Sequence, residues 1–200
     1  GIKDILVVRG YKKAAVNLPN LTYIDTLEFA ETGELASLSQ ALQSRRGRFQ
    51  PTIVSYGDVL FNKYIPQALC QEQDDCVIFV DSNWRDQSSY ARLGGFAECS
   101  IPNSREAFNA KIHLKQLGKT LPEESIHGVW MGFLKLSSSA ASQVNDLLLD
   151  MLADPANRRA GIPQLLQALL KQDVPVRVLY TVGHWLDVNS LEDVVQAGNF

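Results

Sequence analysis

The sequence is poor in the features that mark several protein classes. Nineteen Lys and Arg stand against twenty-two Asp and Glu, a net charge of −3. No positive field exists to hold a phosphate backbone, which excludes a general nucleic-acid binder. Three cysteines, Cys70, Cys76 and Cys99, are odd in number and widely spaced, without a CxxC pair. That argues against a disulfide frame or a thiolate zinc site and reads as reduced, partly buried thiols in a cytoplasmic protein. No apolar run approaches the roughly 20 residues of a membrane-spanning helix, so no membrane partner is expected. Three fingerprints are also absent: the Walker phosphate loop, the GxGxxG dinucleotide loop and the GxSxG nucleophile elbow.

What is present is ordinary globular material. The 200 residues are 46% apolar and 20% charged, enough for one continuous core and too apolar for disorder. Ile5-Leu6-Val7-Val8 is an unbroken apolar run, the form of a strand buried on both faces. Leu21–Asp25, Thr52–Tyr56, Cys76–Asp81, Gly128–Leu136 and Val176–Tyr180 read as further strands, the last of them closing the set. Between them, Leu35, Leu38 and Leu42 recur at helical spacing, and Arg45-Arg46-Gly47-Arg48 puts cations at that helix's C-terminus. After Gly57-Asp58 a helix runs through Leu69. Ser137–Ser139 cap another to about Leu152, Pro163 starts a third, and Asn189 or Ser190 caps the last. Residues 82–120, with Gly94-Gly95 and Pro102, are weakly patterned and read as a small antiparallel β insertion. No linker or repeat interrupts the chain. The expectation is a single α/β domain over 1–200, a sandwich on a mostly parallel sheet.

Ligands in open α/β sheets bind beyond the carboxyl ends of strands. Three acids stand at such ends: Asp58, Asp81 and Asp187. Two carboxylates from different strand ends suit a hard divalent cation such as Mg²⁺, which takes one or two carboxylates plus substrate phosphates. Strand-end aspartates also cap helices, and that reading stays open. His184 is either a base or phosphate contact, or a residue orienting its loop; His113 and His127 read as surface residues. Trp84, Trp130 and Trp185 are pocket walls or core packing.

Several segments together resemble a known family. DILVVRGYK, ETGELASL, VSYGDVLF, the Cys76–Asp81 strand, CSIPNSREAF and VPVRVLYTVGHWLDVNSLEDV resemble the sugar-nucleotidyltransferase-like proteins. The nearest branch is the phosphocholine and 2-aminoethylphosphonate cytidylyltransferases, some of them fused behind a phosphoenolpyruvate phosphomutase domain. The resemblance implies a Rossmann-like nucleotidyltransferase sandwich. It implies Mg²⁺-dependent transfer of a nucleoside monophosphate, CMP from CTP, to a phosphate or phosphonate acceptor with release of pyrophosphate. Carried onto this sequence, it implies Asp58 and Asp187 as metal ligands, Ser37 and Tyr56 at the nucleotide, and Trp130 and Trp185 at the acceptor.

The sequence departs from the family in two places. The family's first strand and glycine-rich, Arg/Lys-bearing loop are not found, and the chain opens on Gly1-Ile2-Lys3-Asp4 at what matches the second strand. An N-terminally truncated domain is therefore expected. Val129 also stands where many members carry glutamate before the aromatic residue. Both an enzyme and a non-catalytic nucleotide-binding or regulatory module are compatible with these departures.

Overall fold

A computed structural model describes residues 2–45, 48–86 and 95–200. Arg46, Gly47 and Gly94, named above, lie outside the described residues. The chain forms two compact units that are interleaved in sequence: Gly1–Gln50 with Ser138–Leu165, and Pro51–Ser137 with Leu166–Phe200. Of the three crossings between them, the one at Leu165–Leu166 lies inside the helix Ile162–Lys171.

In the first unit β1 (Leu6–Arg9) pairs in parallel with β2 (Thr22–Asp25), joining Leu6 to Thr22 and Arg9 to Asp25. The apolar run predicts a strand, and one forms. Burial on both faces does not follow: β1 is half-buried throughout and Ile5 is 50% exposed. A strand is enclosed by what packs on it, and β1 has β2 as its paired strand. Helix α1 (Glu34–Ser44) buries Leu35, Leu38 and Leu42, as the spacing predicts. It packs against the helix Ser138–Ala153, which is α3 in chain order. Glu34 accepts the Ile162 N–H at 2.9 Å, so the first residue of α1 satisfies a backbone donor that would otherwise be orphaned at the start of the helix Ile162–Lys171.

The second unit is built on a sheet. Strands β3 (Thr52–Ser55) and β4 (Val59–Phe61) precede α2 (Tyr64–Gln71) and β5 (Cys76–Asp81). Next come β6 (Phe96–Cys99), β7 (Leu114–Gly118) and β8 (Gly128–Leu136). After α3 and α4 (Ile162–Lys171) the chain adds β9 (Val176–Thr181), β10 (Trp185–Asp187) and α5 (Leu191–Ala197). The sheet order is β7-β6-β8-β5-β9, with β3 also on β8. The α/β class stands, on a mixed sheet: β5 and β9 run parallel, while β8 runs against β3, β5 and β6. Apolar runs report burial and carry no information on direction. Within the expected 82–120 insertion, β6 and β7 form an antiparallel pair, and residues 87–94 lie outside the described residues.

Strand β8 changes partners along its length. Its first two residues pair with β6, and Phe133–Leu136 pair with β3. Gly132 sits at the change, with φ +81°, where the β5 register also shifts. A Cβ there would meet the Tyr56 ring at 2.9 Å, so glycine is needed for conformation and for space. On one side of the sheet Val59, Ile65, Leu69, Val77, Phe79, Val129, Met131, Phe133 and Trp185 form a continuous buried cluster.

Two elements depart from the sequence reading. Val59–Phe61 is strand rather than the start of a helix, and β9 is followed by one more strand, β10. They pair antiparallel with each other, Trp185 to Phe61 and Asp187 to Val59. Such short strands carry too little periodicity to announce themselves. Among the described residues no helix is long and apolar enough to cross a membrane.

Candidate functional site

The carboxyl ends of β5 and β9 lie side by side, Asp81 opposite Thr181. From there the chain leaves β9 through Val182, Gly183 and His184 and enters β10. Gly183 and His184 both take left-handed backbone, φ +66° and +64°. Glycine does so freely; for histidine the conformation costs on the order of 1–3 kcal/mol, held by its surroundings.

Those surroundings are specific. The Asp81 carboxylate is 0% exposed. Its Oδ1 accepts the Asn83 N–H at 2.9 Å and the Gly183 N–H at 3.1 Å, and its Oδ2 accepts the Trp185 indole N–H at 2.8 Å. A buried carboxylate is tolerated only with such donors, and hydrogen bonds to a charged group contribute about 1.5–3 kcal/mol each. The Tyr64 hydroxyl bonds the Thr181 hydroxyl, which also donates to the Gly183 carbonyl at 3.3 Å. The Asn62 N–H donates to the His184 carbonyl at 3.0 Å, and the Tyr64 and His184 rings meet edge to face at 5.8 Å. His184 is exposed, with its backbone fixed by neighbours, which fits the loop-orienting alternative.

The β4–β10 ladder brings the two expected metal ligands to adjacent positions. Asp187 stands opposite Val59, and the Val188 N–H donates to the Asp58 carbonyl at 2.8 Å. Their burial differs: Asp58 is exposed and Asp187 is 4% exposed. Among the described residues no group of three or more His, Cys, Asp and Glu side chains is disposed to hold a metal. The pair nonetheless fits Mg²⁺ in donor type, since this ion commonly takes one or two carboxylates and completes its shell with phosphates and water.

The remaining expected residues are placed unevenly. Tyr56 is half-buried, edge-on to Trp130 at 5.5 Å and two residues before Asp58. Trp130 is fully buried, its indole donating to the Phe133 carbonyl at 2.7 Å, and Trp185 is 3% exposed within the core cluster. Both indoles are buried side chains of the second unit. Ser37 is half-buried on α1, in the first unit. Trp84 packs edge-on to Phe96 under the Arg85 guanidinium. His127 is partly buried and its Nδ1 accepts the Cys99 N–H at 3.1 Å, a structural bond rather than a surface position.

No protein-family model and no curated relative matches the sequence. Solved structures do match. The inositol-1-phosphate CTP transferase from T. maritima superposes with a TM-score of 0.67 at 15% identity, over 96% of this chain and 73% of that one. The fold is that of the nucleotidyltransferases. The CTP:phosphocholine cytidylyltransferase from Streptococcus pneumoniae matches over all of this chain and 78% of its own, with a TM-score of 0.68 and 12% identity. A UDP-glucose pyrophosphorylase complexed with UDP-glucose gives 0.69 and 13% over 98% and 80%. Asp58, Asp81 and Asp187 fall in one unit, Asp81 and Asp187 as the last residues of β5 and β10 and Asp58 directly before β4. Asp81 is visible in the sequence as the acid ending an all-apolar strand, but its partners in the β9–β10 turn, more than a hundred residues away, are not.

Proposed function

We propose that the protein is a Mg²⁺-dependent nucleotidyltransferase that moves a nucleoside monophosphate, CMP from CTP, onto a phosphate or phosphonate acceptor and releases pyrophosphate. The observation that carries this reading is the β4–β10 ladder, which sets Asp187 beside Asp58 in a fold shared with a CTP transferase and a cytidylyltransferase. Asp58 and Asp187 are the residues that would hold the metal. When bound, Mg²⁺ supplies charge neutralisation of the reacting phosphates and alignment for in-line attack. Asp58, exposed, is open to the incoming nucleotide; Asp187, buried, acts where screening by water is weak and charge is felt more strongly. Ser37 and Tyr56 belong to the nucleotide and Trp130 and Trp185 to the acceptor, as the resemblance implies. The cytidylyltransferase resemblance favours phosphocholine or 2-aminoethylphosphonate as acceptor, a cytoplasmic setting and a phosphomutase domain as partner.

The test is pyrophosphate release from CTP and Mg²⁺ with phosphocholine, 2-aminoethylphosphonate, inositol 1-phosphate and glucose 1-phosphate in turn, repeated with UTP. Release with one acceptor, lost by at least a hundredfold in Asp58→Ala and Asp187→Ala, is the expected result. Full activity in both variants overturns the metal assignment. Binding of CTP without release for any acceptor supports the non-catalytic module instead.

A further inference from the structure

Asp81 is a fully buried acid to which nucleotidyl transfer assigns no role. Three of its donors come from two places: Asn83, just after β5, and the segment from the β9–β10 turn into β10. The two bonds to that turn, from the Gly183 backbone and the Trp185 side chain, bracket His184 in its left-handed conformation. Trp185 is the first residue of β10 and Asp187 the third, and β10 pairs with β4 over three residues. A ladder that short is weak at setting its own register, so the anchor at its start decides where Asp187 stands beside Asp58.

We propose that Asp81 is the positioning residue for Asp187: by accepting from Gly183 and Trp185 it fixes the turn and the start of β10. Only the use of Asp187 as a metal ligand rests on the nucleotidyl-transfer reading; the anchoring does not. The chemistry is particular to a carboxylate. An ionised aspartate is acceptor-only, whereas Asp81→Asn keeps the size but turns one acceptor into a donor. With Oδ1 retained toward Asn83 and Gly183, the new amide meets the Trp185 N–H donor to donor.

The experiment follows the tryptophan indole protons by NMR exchange in the full chain, and Mn²⁺ affinity in the presence of CTP. In Asp81→Asn the Trp185 indole is expected to exchange at least tenfold faster, while that of Trp130, bonded within β8, is unchanged. Mn²⁺ affinity is expected to fall at least tenfold and to recover in part in Asp81→Asn/Trp185→Phe, which removes the opposing donor. Unchanged Trp185 exchange overturns the anchoring. Faster exchange with unchanged Mn²⁺ affinity overturns the positioning of Asp187 and leaves nucleotidyl transfer standing. A wild-type chain that binds no Mn²⁺ with CTP overturns the metal reading, and with it the role of Asp187 as a ligand. If Trp130 exchange also rises in Asp81→Asn, Trp185→Phe alone carries the test: a severalfold loss of Mn²⁺ affinity supports the proposal and no loss overturns it.

Discussion

Among the described residues two parallel strand pairs look alike in sequence and differ in almost everything else. Both β1 and β5 are short apolar runs ending on a charged residue, Arg9 in one and Asp81 in the other. All six residues of β5 are buried, between β8 on one side and β9 on the other. The four residues of β1 are half-buried, paired with β2. At the end of β1, Arg9 holds Asp25 at 2.6 Å in an exposed pair, with Lys13 at 3.0 Å and the Tyr23 ring 4.0 Å beneath the guanidinium. At the end of β5, Asp81 is sealed and satisfied by N–H donors. An apolar run therefore states that a strand forms; its neighbours decide how much that strand stabilises and whether the charge at its end is structural or solvated.

The largest expected difference lies in the cores. Phe79→Ala in β5 removes a fully packed ring and is expected to destabilise by about 3–5 kcal/mol. Val7→Ala in β1, half-exposed already, is expected to lose about 1 kcal/mol or less. Chemical denaturation of both variants measures the gap, and equal losses would break the contrast.

The two regions also carry pH-sensitive groups at opposite ends of the scale, with a measurable loss expected at the alkaline end only. Burial first, then the neighbouring Asp75 charge, pushes the Cys76 thiol from 9.0 up to about 11. Burial likewise raises Cys99 to about 11. The unfolded chain releases these protons first, so stability is full below pH 9.0 and falls as pH climbs toward about 11. Cys76→Ala is expected to flatten that alkaline limb. The bonds from Arg9 and then Lys13 lower Asp25 below its usual 3.8, so its contribution is present above that pH and is lost on further acidification.

Gly132→Ala in β8 is expected to cost about 1–3 kcal/mol through its positive φ and the Tyr56 ring, read as a lower melting temperature. The smallest effect belongs to the exposed pair. Asp25→Asn should leave the thermal midpoint at neutral pH within error, and added salt should not change that. A clear loss would show that the β1 pair is better sealed than its exposure indicates.

Much of this was legible in the residues. Leu35, Leu38 and Leu42 place α1, CVIFVD gives β5, GVWMGFLKL gives β8, and Ser190 caps α5 in a reciprocal capping box with Asp193. These signals are local: spacing, a cap, an uninterrupted apolar run. The site was legible only as a set of strand-end acids. That Asp58 and Asp187 become neighbours depends on β4 and β10, three residues each and more than a hundred positions apart, and nothing within either announces the other. The tryptophans could not be sorted by type, because a core indole and a pocket indole have the same composition and differ in what covers them.

The sequence alone determined the α/β class, the helical faces and the strand-end acids, since each follows from residue chemistry and short-range periodicity. The tertiary structure decided that β1 is half-open and β5 sealed, that β8 runs against its neighbours, and that Trp130 and Trp185 are buried. It also decided that Asp81 holds the turn leading to Asp187. Burial, strand direction and hydrogen-bond partners are properties of pairs distant along the chain, and they take their values only when the chain folds.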